Sequence, residues 1–427
     1  MKRKVVDIKR NALRLLLPLA VLGVMSAMGI RAVTTDERID LVEIENRYGN
    51  DFPEFEDSLW LSGEWQLKMT EALNDHLPYA IDTKTLFFKL RNGVLYETQK
   101  RMYNFTDYYV HFRNDIYLYG EEPYLLFGSQ LLNEGQRAIM RVIASGINRE
   151  ARRHPGVGFY VYYVTRDFDI RFDTGYDAHI YDALVAQLQL PKAHISCLEL
   201  KDFQQYKHYF YRTDHHWQCF GSYRGYRDVF ALLRLAEQGE QINRPVKVPD
   251  AGLGIDDEER VTDEEGNQAV LVSRFHHESK ARSTGTPKKF HGYMYAYQFH
   301  YVPMQITRDG ESYQYGDDEK YLHNKEVWIE DGIRYGLMYG RDEGELIFDT
   351  GRRERPNILV MGDSFDNAVL RLLAGHYNQL HSIDLRHYET QKGHAFNMSE
   401  YIRKNDISTV LFLGNNGLFM AVRFTKF

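Results

Sequence analysis

The chain has only two cysteines, Cys197 and Cys219, in 427 residues. Neither sits in a CxxC or Cys-His ligand spacing, which argues against a zinc site and a disulfide-built scaffold. In an oxidising compartment the two could pair, closing a loop worth roughly 3 kcal/mol. Two isolated buried thiols fit the sequence equally well. An excess of basic residues is also missing. A formal net charge of −7 gives no broad attraction to nucleic acid, and no RRM, zinc-finger or helix-turn-helix spacing appears, so no nucleic-acid partner is expected. Aromatic residues, by contrast, are plentiful. With 31 Tyr and 24 Phe the chain has ample apolar area for one large or two moderate cores, which a disordered chain would lack.

The amino terminus reads as a leader. Six of the first ten residues are charged, and sixteen uncharged, mostly apolar residues, Leu15 to Ile30, separate Arg14 from Arg31. Sixteen helical residues reach about 24 Å, short of a hydrocarbon core of roughly 30 Å, although the flanking arginines can snorkel. Residues 1–35 are therefore expected to be a signal peptide or a membrane anchor, spanning through residues 15–30 if uncleaved. In either case the body would lie outside the cytoplasm, anchored or secreted.

Four further segments follow. Residues 36–130 form an extension with helical spacing at Trp60, Leu67, Leu73 and Phe88, and with two short strands around Gly120. Residues 131–238 begin an α/β layer: a helix from about Leu132 to Arg153, the strand GFYVYYVT, a helix in DAHIYDALVAQLQL, the strand HISCLEL, then a helix from Gly221. Residues 239–355 turn polar, without repeats, and read as mixed strands and loops inserted into the α/β unit, either a substrate-covering lobe or structural decoration. Residues 356–427 resume a regular order: NILVMGDSFDNAVLRLLAGHY is strand, tight turn and helix, QLHSIDLRHY a second strand, and MSEYIRKNDISTVLFLGNNGLF a helix and third strand. Right-handed crossovers make such strands parallel and gather ligands beyond their carboxyl ends. Gly362-Asp363-Ser364 and Gly414-Asn415-Asn416 both fall at such ends.

Ser364 follows an apolar strand and precedes a helix, a place where Oγ is exposed and backbone N–H groups face developing negative charge. It is not in a G-x-S-x-G elbow, and on local sequence alone Asp363 or Ser364 also suits a helix cap. The segment YFYRTDHHWQCFG supplies what the serine needs. Asp214 and His216, two residues apart, reach one pocket from a turn or a strand, the imidazole as proton acceptor and the carboxylate as its orienting partner. His215 points elsewhere, Trp217 packs behind the base, and Asp363 bonds across the serine turn. Asp384, Arg386 and Tyr388 read as a surface ion-pair region. No metal-ligand motif adds to the two histidines.

TDHHWQCFGSYRGY and VMGDSFDNAVLRLL together resemble the DHHW protein family, itself similar to the SGNH-like domains of alginate and other cell-surface polysaccharide O-acetyltransferases. Thr213, Asp214, His216 and Trp217 match the T-D-x-H-W segment, and Gly362, Asp363, Ser364 and Phe365 match G-D-S-F. GNNGLF resembles the G-x-N segment of SGNH enzymes, mapping onto Gly414 and Asn416; with the Ser364 N–H these are the oxyanion candidates, and Asn415 competes with Asn416. The resemblance implies an SGNH hydrolase-like three-layer α/β fold with a central parallel sheet, interrupted by a large mixed or β-rich insertion. It also implies serine-dependent O-acyl transfer, most naturally acetyl, to an envelope polysaccharide, with a membrane protein donating the acyl group and no cofactor. An esterase or deacetylase with the same triad and a noncatalytic glycan-binding or envelope-assembly protein are the alternatives.

Overall fold

The computed structural model describes residues 63–76, 116–128, 132–247, 260–276, 292–308, 310–315, 335–340, 342–425 and 427, with Lys280 and scattered positions before 95. It divides into two compact units, Met1–Phe88 and Lys89–Phe427. In the first, a helix spans Glu64–His76, and the rings of Phe55, Trp60 and Trp65 lie 5.3 to 5.8 Å apart. Trp60 and Leu67, two of the residues at helical spacing, are exposed; Phe88 lies outside the described residues. So does nearly all of the expected leader, and among the described residues no helix is long and apolar enough to cross a membrane.

The second unit is built on an eight-stranded sheet. Its strands, in chain order, are β1 (Gly158–Val164), β2 (Ile195–Leu198), β3 (Met304–Arg308), β4 (Glu311–Tyr315), β5 (Glu345–Asp349), β6 (Asn357–Gly362), β7 (Gln379–Ile383) and β8 (Ile407–Gly414). The spatial order is β4-β3-β5-β7-β6-β8-β1-β2. From β7 to β2 all neighbours are parallel; β5, β3 and β4 add on antiparallel. The parallel sheet expected from the sequence is thus the centre of a mixed one. Residues 239–355 are not set apart as an inserted lobe: they contribute three strands to this sheet, because Met304, Ile306, Leu346 and Phe348 alternate inward as a half-buried strand requires. The same segment also forms a separate antiparallel sheet, Arg260–Thr262, Gln268–His276 and Gly292–Tyr297.

Alternation along the central strands makes two cores. Tyr162, Val164, Ile358, Val360, Leu411 and Leu413 face helices α2 (Cys219–Leu232) and α4 (Asn367–Ala374). Val161, Tyr163, Leu359, Met361, Val410 and Phe412 face α1 (Glu134–Arg153) and α5 (Met398–Lys404). Such strands are covered on both sides, and each fully buried aliphatic side chain contributes about 1.5 to 3 kcal/mol. The start of α1 is set by a capping box, with Asn133 Oδ1 accepting from Gln136 N and Gln136 Oε1 accepting from Asn133 N. The two cysteines are free thiols, Cys197 on β2 and Cys219 at the start of α2.

Chain direction decides where a site can form. From β6 the chain passes through α4 to β7 on one side, then through α5 to β8 on the other. The order reverses about β6, and in open α/β sheets the carboxyl end of such a strand is where the loops part and ligands gather.

Candidate active site

Ser364 sits at that end. β6 closes on Gly362, and Asp363 Oδ1 accepts from Phe365 N at 3.0 Å, so the aspartate folds the chain over the intervening serine. The turn runs into α4 through Asp366 N to Asp363 O at 2.9 Å. Gly362 is needed because the Asp366 carboxyl group lies where a Cβ would stand. Gly414 serves similarly at the end of β8: a Cβ there would meet Asp363 Oδ2 at 2.9 Å. The two glycines let the ends of adjacent strands approach the acidic turn.

The histidines arrive on another tight turn. Phe210 and Trp217 form an isolated antiparallel bridge, closed by Tyr211 N to His216 O at 3.2 Å and Gln218 N to Tyr209 O at 2.8 Å. At its tip Asp214 Oδ1 accepts from His216 N at 2.8 Å. Trp217, fully buried, is the anchor; its ring lies against α2, where a Cβ on Gly225 would come within 2.5 Å of it. The other side is held by the hairpin Ile116–Tyr119 and Tyr124–Phe127, at the two strands expected there, through Leu125 N to Arg212 O and Arg212 Nε to Pro123 O.

The two turns bring together three side chains, His216 and Ser364 being 148 positions apart. His216 Nε2 is 2.7 Å from Ser364 Oγ, and His216 Nδ1 is 2.6 Å from Asp214 Oδ1. A carboxylate only accepts, so Nδ1 carries the proton and Nε2 is left to accept from the serine hydroxyl. All three are buried, Asp214 at 0 %, Ser364 at 5 % and His216 at 6 % exposure. Phe365 packs against the His216 and Trp217 rings, with centroids 5.2 and 5.7 Å away. Half-buried His215 lies beside His216, ring centroids 3.9 Å apart, outside the proton path.

A residue not anticipated from sequence packs on the imidazole. Tyr335, on the short helix α3 (Tyr335–Tyr339), stacks on the His216 ring at 3.9 Å and 4°. Its hydroxyl accepts from Trp217 Nε1 at 3.3 Å. The imidazole is held between Tyr335 on one face and the Asp214 and Ser364 hydrogen bonds at its edges. Nothing in GIRYGLMYG signals this, because one tyrosine in a polar segment looks like any other.

Acidic groups crowd the serine turn. Burial pushes the Asp363 carboxyl up to about 6 against the pull of Arg386 and the Phe365 N–H. Burial, then Asp363, Asp384 and Asp342, push Asp366 well above the usual carboxylate range. Arg386 is paired with Asp384 and with Asp342 at 2.8 Å, and Asn367 Nδ2 donates to Asp342 Oδ1 at 2.8 Å. Asp384 and Asp342 are buried, so the surface pairing expected for Asp384 and Arg386 is instead an internal network beneath the serine turn; its partner Asp342 lies too far along the chain to be read from the motif. Tyr388 is buried as well.

Of the oxyanion candidates, the Ser364 backbone N–H donates to no other group among the described residues. Asn415 Oδ1 caps α6 (Asn416–Met420), accepting from Gly417 N. Asn416 holds a buried side-chain oxygen without a hydrogen-bond partner among the described residues. Among the described residues, two sets of side chains stand close enough to share a cation, Asp214, His215 and His216, and Asp342, Asp384 and His387. In the first, both His216 nitrogens already face Asp214 and Ser364; in the second, Arg386 supplies positive charge to both aspartates.

Fold and site together define an α/β protein with a Ser-His-Asp arrangement at the carboxyl edge of its sheet. No protein-family model matches the chain, and no curated protein matches it. Among solved structures, a DHHW family protein from Eubacterium siraeum is similar, with 13 % identity, a TM-score of 0.50, and coverage of 75 % of this chain and 96 % of that one. Bacillus cereus PatB1 carrying a sulfonyl adduct aligns at 16 % identity and TM-score 0.49, over 72 % of this chain and 98 % of that one. The O-acetyltransferase domain of Pseudomonas putida AlgJ aligns at 11 % and 0.35, over 74 % and 94 %. At such identities the likeness to the DHHW protein is one of fold.

Proposed function

We propose that this chain is a serine-dependent O-acyltransferase acting on hydroxyl groups of a cell-surface polysaccharide or related envelope polymer, outside the cytoplasm. The observation that carries the proposal is the continuous path from Asp214 through His216 to Ser364, at 2.6 and 2.7 Å. Ser364 Oγ attacks the donor carbonyl while His216 Nε2 takes its proton. Asp214 keeps Nδ1 protonated and stabilises the imidazolium. The Ser364 N–H and the Asn416 amide face the oxyanion. The proton passes from His216 to the leaving group, and an acyl ester remains on Ser364. A sugar hydroxyl then gives its proton to His216 and attacks that ester, and the serine recovers its proton as the acylated sugar leaves. An acetyl group is the favoured cargo, delivered by a membrane partner as the family resemblance suggests.

The test follows a labelled acyl group from a small activated ester to glycan and to water in parallel. Wild-type protein is expected to label glycan, and Ser364→Ala to lose at least three orders of magnitude of transfer, about 4 kcal/mol of transition-state stabilisation. Release to water alone would select an esterase. Undiminished transfer by folded Ser364→Ala protein would remove the proposed nucleophile, and glycan binding without turnover in the wild type would select a noncatalytic role.

A further inference from the structure

A cavity opens between α2, α3, α4 and the end of the Gly292–Tyr297 strand with the segment that follows it. Three elements lead into it from the triad at similar spacings. Ser364 is followed by Asn367, Ala368 and Arg371, which line it from α4. Tyr335, stacked on His216, is followed one turn later by Met338 and Tyr339 on α3. His216 itself is followed by Cys219, Ser222 and Tyr223 at the start of α2. Residues three or four apart on a helix share a face, and the Tyr339 ring lies 4.9 Å from that of Tyr335, so the α3 wall of the cavity adjoins the ring stacked on His216.

The fourth wall is Tyr297, Gln298, Phe299 and Tyr301. The Arg371 guanidinium lies over the Tyr301 ring, 4.1 Å from its centroid. Gln298 Oε1 is buried and has no hydrogen-bond partner among the described residues. Aromatic faces alone would suit any apolar group. An amide oxygen awaiting a donor, together with the Asn367 amide and a guanidinium, suits a ring that carries hydroxyls on its rim and C–H groups on its faces. An acyl chain would leave Gln298 Oε1 unsatisfied.

We propose that this cavity is a sugar-binding subsite, in which a pyranose ring of the acceptor stacks on the aromatic wall and donates a hydroxyl to Gln298 Oε1, setting a neighbouring residue of the same glycan at Ser364. This rests on the acyl-transfer reading for its purpose, and its binding test is separate from turnover. Chitotetraose, cellotetraose and tetragalacturonate, covering amino, neutral and acidic sugars, are titrated calorimetrically into full-length Ser364→Ala protein, with octanoate as the apolar probe. At least one oligosaccharide is expected to bind saturably. Adding Gln298→Leu, which removes the acceptor, or Ala368→Trp, which fills the cavity, should weaken it tenfold or more while circular dichroism and thermal unfolding stay those of the parent.

Affinity within twofold of the parent in both folded variants overturns the subsite, as does failure of all three sugars to bind. Octanoate binding that Ala368→Trp abolishes, with no sugar bound, overturns it in favour of an acyl pocket. If sugar binding depends on the cavity but acyl transfer survives loss of Ser364, the catalytic reading falls and the subsite stands. If transfer needs Ser364 and the cavity variants bind sugar unchanged, only the subsite falls.

Discussion

In the turn at Asp214 one carboxylate oxygen accepts from both the backbone N–H of His216 and the ring Nδ1 of the same residue. In the turn at Asp363 the carboxylate accepts from the Phe365 N–H on one oxygen and, at 3.5 Å, from Asn415 N on the other. Both are Asx-turns two residues long, and each presents a reactive side chain. They differ in where the second hydrogen bond goes. At Asp214 it reaches the imidazole, so the residue that shapes the turn also fixes the tautomer. At Asp363 it reaches the end of a neighbouring strand, so the aspartate shapes the site and leaves Ser364 to be activated from outside. An acid beside a reactive residue is therefore no guide to its role; the atoms its oxygens touch are.

Amide replacement of each aspartate separates the two turns. Asp214→Asn retains an oxygen for the His216 N–H but presents the ring with a group that can donate, so the neutral imidazole can hold its proton on the wrong nitrogen. Acyl transfer should fall by two to four orders of magnitude, roughly 3 to 5 kcal/mol, with thermal stability little changed. A loss under tenfold would mean that Asp214 does for His216 only what Asp363 does for Ser364.

Gly225→Ala attacks the histidine turn from behind, by setting a methyl group against the Trp217 ring. Overpacking of this kind costs typically 1 to 3 kcal/mol, and the expected result is a lower unfolding temperature together with slower Ser364 acylation. A melting temperature equal to wild type would show that the Trp217 anchor has slack.

Asp363→Asn keeps the Phe365 bond, and its effect should appear in the pH dependence of stability. A carboxyl whose folded value is raised to about 6, against about 4 when unfolded, favours the protonated state on folding. Its stabilising contribution is complete below pH 4 and lost as pH rises through 6, a change of about 2 to 3 kcal/mol. Denaturant titrations of wild type and Asp363→Asn across pH 4 to 7 should therefore show a decline present in the former and reduced in the latter; parallel curves would contradict the assignment. The smallest effect is expected from Tyr335→Phe, which keeps the ring on His216 and removes the acceptor of the Trp217 N–H. A stability loss of about 0.5 to 1.5 kcal/mol, with transfer reduced less than tenfold, fits a stacking role; a hundredfold loss of transfer would place the hydroxyl in the chemistry.

Much of this layout is legible in the sequence. An apolar run ending in Gly-Asp-Ser before a helical pattern marks the end of β6, and Asp214-x-His216 states its own spacing, because both signals are local. Three features are not. Strands β3, β4 and β5 lie in polar surroundings, and short strands there carry no mark of which sheet they will join. Arg386 looks like a surface partner of Asp384 until Asp342 is brought in from a distant loop. Tyr335 has no local signal at all: its role is defined by the His216 ring opposite it, which comes from a part of the chain more than a hundred residues earlier. Local hydrogen bonding can be read from neighbours in sequence; stacking across elements cannot.

The pairing of β1 with β8 has a consequence for how the molecule is made. β1 emerges from the ribosome well before β8, with one edge taken by β2 and the other reserved for that much later strand. Until β8 arrives, the Phe159–Tyr163 edge exposes unpaired backbone groups in an apolar strand, the kind of surface along which nascent chains associate. Contacts so distant in sequence make folding slow, since the loop must close before any pairing is gained. The edge of β1 is therefore covered, and the strand end that carries Gly414 brought beside the Ser364 turn, in one event, when β8 slides between β6 and β1.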